Sequence, residues 1–544
     1  MLSIHWRALF LALAISPALA VSAQTDAGNK SNAAELRFDI LAFVVVGDTA
    51  LGSAVIERTV YPFLGPQKTA ADAEGARKAL ENAYRDAGFL SVNVLLPAQR
   101  VDNAGSELRL QVVQSPVDKL RITGAQYTLP SRIREALPSL APGVVPNFND
   151  MQEELSQLAR ASGDREITPI IAASDRPGAM NVELKLLDRL PLHSSIELNN
   201  KRSQNTRAGR LEAGIRYDNL FQRGHSIGLN WFYAPYRPSD ANILSVVYQL
   251  PLGGPGDRLS ISAVHSDSNT PTPLGGATVS QGDTFRLRWR DELRGLEGLN
   301  HALGWGLTLR DLRDSNRNVG GFTISTPALR YPSFNTSYEL DLSGDRVGAL
   351  AGRSTRLQAD LTVSLPGLSG RSVDCNGIQS NQFACKRSAA QPGFQVLGLS
   401  MSHIEPLGRW LLSARLQAQL ADTPLVPSEQ VVYGGFDSVR GYDEGEQAGD
   451  LGTALRLELG SPAWAASDQL VLRGFAFFDR AVLRRLEPLP SEAASAQLTS
   501  AGLGLTMESS FGLRASLYWA HILPRGGNLN GRKQRWEFSL RQTF

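Results

Sequence analysis

The sequence predicts a two-part molecule in which two α+β repeats precede an all-β transmembrane barrel of about sixteen antiparallel strands. Three observations predict it. Residues 37 to 190 run twice through the order strand, helix, helix, strand, strand, with Gly47 and Gly124 at equivalent places after the opening strand, 124 − 47 = 77 residues apart. From residue 191 onward helical periodicity disappears, and apolar and polar residues alternate over segments of about ten residues. No apolar run beyond the N-terminus approaches the roughly 20 residues that a spanning helix needs.

The N-terminus reads as an export signal. Arg7 precedes the run ALFLALAISPALA, and small residues fit cleavage after Ala20 or after Ala23, which makes residues 1–23 a signal peptide. The alternative is a membrane anchor, but Ser16-Pro17 cuts the run short of a spanning length. Export sets the redox context: Cys375 and Cys385, the two cysteines of the chain, close a short polar loop and are expected to form a disulfide.

In the first repeat, residues 37–115, LRFDILAFVVVG is an apolar, β-branched strand. ADAEGARKALENAYRDAG then places Ala76, Leu80, Ala83, Tyr84 and Ala87 on one helical face, and Gly88 ends the helix. The strands FLSVNVLLP and ELRLQVVQ follow. The second repeat, residues 116–190, uses VDKLRITG, then the helices PSRIREAL and FNDMQEELSQLARA, then the strands EITPIIAA and MNVELKLLD.

Residues 191–544 form the barrel. In RLQADLTVSL, Leu357, Ala359, Leu361, Val363 and Leu365 oppose Arg356, Gln358, Asp360, Thr362 and Ser364. A soluble sandwich also alternates, but its strands average nearer 5 or 6 residues. The longer segments, the charged second face and the alternation of tight turns with long polar loops fit a closed ladder in lipid. Sixteen segments begin near 192, 208, 225, 243, 257, 283, 302, 334, 355, 393, 409, 451, 468, 499, 512 and 533. Sixteen strands are wide enough for an aqueous lumen. With both ends periplasmic, the cysteines fall in the fifth outer loop and the sequence FDSVRGYDEG in the sixth, residues 421–450.

Strand 13, QLVLRGFAFFDRA, carries Phe475, Phe477 and Asp479 on one face with Arg473. Facing the lumen, two phenylalanines beside a carboxylate need a partner. A loop entering with Arg440 for Asp479, flanked by Val439 and Tyr442, would meet that need, and Gly441 would allow close backbone approach. A simply solvated loop is the alternative.

Several classes are set aside. A net charge of +2 without a long basic run argues against nucleic acid as a partner. No GxxxxGK[ST], HExxH or GxSxG occurs, and the seven histidines show no recognisable partnership, so no nucleotide, cofactor, metal or enzymatic activity is expected.

Three motifs carry a family resemblance: AYRDAGFLSVNVLLPAQRV, VYGGFDSVRGYDEGEQAGDLG and FAFFDRA. On them the chain resembles the two-partner secretion transporters of the outer membrane (TpsB proteins, the ShlB/FhaC/HecB haemolysin secretion/activation group), and its repeats resemble POTRA domains. The resemblance implies a Gram-negative outer-membrane location, periplasmic repeats that capture an unfolded exoprotein, and a barrel that conducts it outward. It also implies that the VRGY loop folds into the lumen and that Arg440 pairs with Asp479. Two departures stand out: Ala481 replaces a glycine usual after the strand-13 aspartate, and residues 24–36 leave room only for a short linker. As a helix those residues would span only about 20 Å. No plug helix is therefore expected, and resting closure falls to the sixth loop. An outer-membrane assembly factor is the alternative function; a passive porin would leave the repeats unexplained.

Overall fold

The computed structural model describes residues 37–544 apart from 48–49, 102–104, 161, 205, 254–255, 269–271, 275–276, 280, 294–298, 314, 320–321, 344–351, 376 and 524–532. The signal peptide, the 24–36 linker and the expected absence of a plug helix lie outside the described residues.

The chain divides into two compact units, ending and beginning at Ser115 and Pro116. In the first, the helix Ala70–Asp86 begins at a capping box: Thr69 accepts from the Asp72 amide, and the Asp72 carboxylate accepts from the Thr69 amide at 2.8 Å. Ala73, Ala76, Leu80 and Tyr84 form its buried stripe, whereas Ala83 and Ala87 are only half-buried. Gly88, at φ +93°, stops it in a Schellman arrangement, with the Phe89 amide donating to Tyr84 O and the Gly88 amide to Arg85 O. The sheet order is Gly65–Lys68, Phe38–Val46, Ser106–Val113, Asn93–Leu95. The edge strand Gly65–Lys68 is absent from the sequence reading, because four residues with a proline show no alternation to read.

The second unit opens with the other repeat. Its sheet places Met180–Asp188 between Val117–Thr123 and the edge strand Arg165–Ala173. Ile133, Leu137, Leu140 and Leu158 from its helical layer pack on Val182 and Leu184. The repeat is clasped to the barrel: Asn219 and Gln222, in a periplasmic turn, donate to Tyr127 O, and Gln222 accepts from the Leu129 amide at 3.0 Å.

Each of the sixteen segments read from the alternation corresponds to one barrel strand, and the first, Leu192–Asn199, pairs with the last, Gln534–Thr543, to close the barrel. The twelfth, Leu451–Gly460, is continued past Ser461-Pro462 by the short piece Trp464–Ser467, and both pair with the thirteenth, Leu470–Arg484. Alternation sorts the two faces. On the thirteenth strand Phe475, Phe477, Asp479, Ala481 and Leu483 are buried, whereas Phe478 and Val482 are exposed, as an outward lipid face requires. The inner face elsewhere is ionic: Glu339 accepts from Arg288 at 2.7 Å and from Arg290 at 3.0 Å.

Candidate functional site

The connection between the eleventh strand, Trp410–Ala421, and the twelfth packs against the inward faces of the twelfth to sixteenth strands. Its centre is Arg440. The guanidinium donates from Nε to Asp479 Oδ2 at 2.8 Å, from Nη2 to Asp479 Oδ1 at 2.9 Å and from Nη1 to Glu458 Oε2 at 2.9 Å. Its backbone amide adds a further bond to Asp479 Oδ2 at 3.1 Å. Arg440 Cζ also lies 3.7 Å from the Phe477 ring centroid, with Phe475 and Tyr518 farther out at 5.7 and 5.6 Å. A planar cation thus has carboxylates at its edge and aromatic faces around it, the two kinds of partner a guanidinium accepts at once.

The flanking residues are placed by packing. Val439 and Tyr442 join Tyr433, Ala454, Ala481, Leu483, Leu498 and Ile522 in one buried cluster. Gly441, at φ +93°, sits where a Cβ would come within 2.9 Å of the Ala520 side chain, so close approach to the fifteenth strand, Leu513–Ile522, excludes any larger residue. Arg535 of the last strand donates to Tyr442 O at 2.9 Å and to Asp443 at 2.8 Å.

Several participants were not foreseen from sequence. Phe475 and Phe477 lie against Gly504 and Gly502 of the fourteenth strand, Ser495–Ser509, where a Cβ would fall within 2.2 and 2.6 Å of the rings. The alternating glycines of AGLGL are the signal that could have revealed this recess. Glu444 accepts from the Phe436 amide at 2.9 Å and is nearly sealed from solvent. Burial pushes its carboxyl up to about 7, against the opposing Phe436 bond and the Lys201 charge.

A second anchor lies outward of the first. Asp450, fully buried, accepts from the Leu425 amide at 3.0 Å, the Leu486 amide at 2.7 Å and Gln430 at 3.1 Å, and pairs with Arg387, whose Nη2 stands 2.9 Å away. Arg387 also donates to Leu425 O and Leu486 O, each at 2.8 Å. It follows the short helix Gln382–Lys386, which contains Cys385; that residue is joined to Cys375 with the Cα atoms 5.8 Å apart. The fifth, sixth and seventh outer loops therefore meet at one carboxylate. Phe383 packs beneath them with Tyr331, Phe394, Leu425 and Val426.

The histidines require a correction. His193 lies 3.1 Å from Asp164 and 3.3 Å from Asp218, and His265 lies 2.6 Å from Asp283 on the neighbouring strand. These partners stand 18 to 29 residues away in sequence, beyond any local motif.

Residues 334–507 match the family described as haemolysin secretion/activation protein ShlB/FhaC/HecB, and residues 38–115 match the ShlB-type POTRA domain. The chain is similar to the outer membrane transporter CdiB of Escherichia coli, with 23% identity over 515 residues, covering 89% of this chain and 79% of that protein. It is similar also to the heme/hemopexin transporter protein HuxB of Haemophilus influenzae (strain 86-028NP), 20% identical over 516 residues, covering 89% and 82%. Among solved structures, CdiB from Escherichia coli superposes with a TM-score of 0.63 at 20% identity, covering 96% of this chain and 93% of that one. BamA from Haemophilus ducreyi lacking POTRA domains 1-3 gives 0.56 at 17%, covering 93% and 100%. Both structural likenesses speak for the fold alone.

Proposed function

From a chain that belongs to the two-partner secretion transporters of the outer membrane, the ShlB/FhaC/HecB group, we propose a translocator that captures an unfolded exoprotein in the periplasm and passes it through its barrel. The observation that carries this reading is the loop centred on Arg440: it docks on the inner wall through side-chain ion pairs, hydrogen bonds and the packing of Val439 and Tyr442, and it contributes no strand to the closed ladder. A plug of that kind can leave without unfolding the wall. In the resting state the sixth loop closes the path; in the active state it yields to the substrate.

Capture rests on strand edges. The edge strand Arg165–Ala173 presents Ile170 and Ile171 to solvent, 43% and 44% exposed, beside an unpaired backbone row. An extended substrate adding a strand there gains main-chain hydrogen bonds that ask little of its sequence. In the first repeat the corresponding edge is Asn93–Leu95. Low specificity at each contact suits a chain that must slide onward. Inner-face pairs such as Arg288 with Glu339 keep the path hydrated.

The test compares the medium and the outer membrane of cells with and without this chain. Loss of one large secreted protein with other barrels unchanged is the expected result. A general fall in outer-membrane barrels would mean an assembly factor instead.

A further inference from the structure

We propose that Asp164, His193 and Asp218 form a binding site for a divalent transition-metal cation, Zn2+ by donor preference, which staples the second repeat to the periplasmic rim of the barrel. The donors come from three places: Asp164 from the turn after the helix Phe148–Arg160, His193 from the first barrel strand, and Asp218 from the second strand, Arg210–Leu220. His193 Nε2 lies 3.1 Å from Asp164 Oδ1 and 3.3 Å from Asp218 Oδ2. An ion bound at about 2.0 to 2.2 Å from each donor, tetrahedral or octahedral, needs donors roughly 3.0 to 3.4 Å apart. His193 already keeps that spacing to each carboxylate and all three donors lie within 4.8 Å of one another, so coordination asks the carboxylates only to turn toward a common point. One imidazole nitrogen, by contrast, carries at most one hydrogen to divide between two carboxylates.

The set is preorganised. Asp164 O accepts from the Arg189 amide at 2.8 Å, and the Asp218 amide donates to Pro191 O at 2.8 Å, so both carboxylate residues are tied to the segment that leads into His193. All three line a cavity of about 940 Å3, which leaves room for the water that completes a three-ligand site. Arg216 shares Asp218 Oδ2 at 3.1 Å, but its side chain is already 56% exposed and can swing into solvent. One histidine with two aspartates matches the borderline character of Zn2+ better than that of Mg2+ or Ca2+, which favour all-oxygen shells. Because the ligands bridge the repeat and the barrel, the ion would add to the clasp that Asn219 and Gln222 make on Tyr127.

The experiment uses the full-length protein, purified in detergent and stripped with chelator. Calorimetric titration with ZnCl2 should give one tight site per chain, with Kd at or below the micromolar range, and Co2+ in its place should give the visible absorption of a low-coordinate site. His193→Ala and Asp164→Asn should each weaken binding at least tenfold and abolish the Co2+ band, while the heat-modifiable barrel band on gels shows that both variants fold. Absence of stoichiometric binding by the wild-type chain, or equal binding by both variants, would overturn the proposal.

Discussion

Arg440 holds Asp479 in a two-point fork, with Nε 2.8 Å from one carboxylate oxygen and Nη2 2.9 Å from the other, and neither side chain reaches solvent. Removing the arginine leaves a buried carboxylate with Arg456 as its nearest remaining cation, 3.8 Å away. The loss should cost loop docking on the order of 3 to 5 kcal/mol if burial is complete, less if water enters. Arg440→Ala is expected to leave barrel assembly intact on heat-modifiability gels while impairing secretion. Arg440→Lys should rescue little, since a point charge cannot span both oxygens. Normal secretion by Arg440→Ala would remove Arg440 from the mechanism, and normal secretion by Arg440→Lys would show that the charge suffices without the fork.

Gly504 makes room for Phe475: a Cβ there would fall within 2.2 Å of the ring. Gly504→Ala should therefore destabilise the barrel by about 1 to 3 kcal/mol, the usual penalty of overpacking. Phe475→Ala alone should also destabilise it. Combined, the two should cost less than their sum, because the new methyl group then has space. Thermal unfolding followed by loss of the folded gel band measures all four proteins. Strict additivity would show that the ring and the glycine do not compete.

The barrel was legible because its signal is local: a lipid face on every second residue survives in any short window, and each segment so marked became a strand. The strand Gly65–Lys68 was not, since Gly65 and Pro66 erase alternation. At the site, FAFFDRA exposed an unsatisfied inner face, but strand periodicity alone could not choose which loop supplies the cation. That choice came from the VRGY motif. Arg387 with Asp450 and His193 with Asp164 were invisible, because their separations of 63 and 29 residues are bridged only by the closed ladder.

Pro169 fixes which amides of the edge strand Arg165–Ala173 face outward. A proline has no N–H to give, so a strand paired along its length tolerates it where the amide would point away from the neighbour. Ile171, two residues on, shares that direction. Ile171→Pro is expected to leave the repeat folded but to weaken binding of an unfolded exoprotein fragment several-fold, whereas Ile170→Pro should disrupt the sheet itself. Circular dichroism and fragment binding distinguish the two. Undiminished binding by folded Ile171→Pro would show that this edge is not where substrate pairs.

Asp450 joins three outer loops, and Asp450→Ala would strand Arg387 and the amides of Leu425 and Leu486 without their acceptor. A loss of roughly 3 to 5 kcal/mol is expected from breaking a buried pair. It should appear as faster cleavage of the sixth loop by protease added to intact cells. Asp450→Asn keeps the shape but loses the charge and should fall between the two. Wild-type protease resistance in Asp450→Ala would mean that the loops are held elsewhere.

Glu444 makes loop docking sensitive to pH, and the sign follows from its environment. Burial raises the docked carboxyl to about 7 from an ordinary 4.5, with Asp437 and Glu537 adding to the rise and the Phe436 amide and Lys201 opposing it. Below about pH 4.5 the group is protonated whether the loop is docked or released, so the docked state keeps its full stability. As pH rises toward 7 the released loop ionises first, and docking loses stability until the docked carboxyl ionises as well. Channel recordings in planar bilayers should therefore show openings becoming more frequent from pH 5 to pH 7 and levelling above it. Glu444→Gln, neutral throughout, should stay as closed at pH 7.5 as the wild type is at pH 5. A wild-type trend of opposite sign, or an unchanged slope in Glu444→Gln, would place the pH sensor elsewhere.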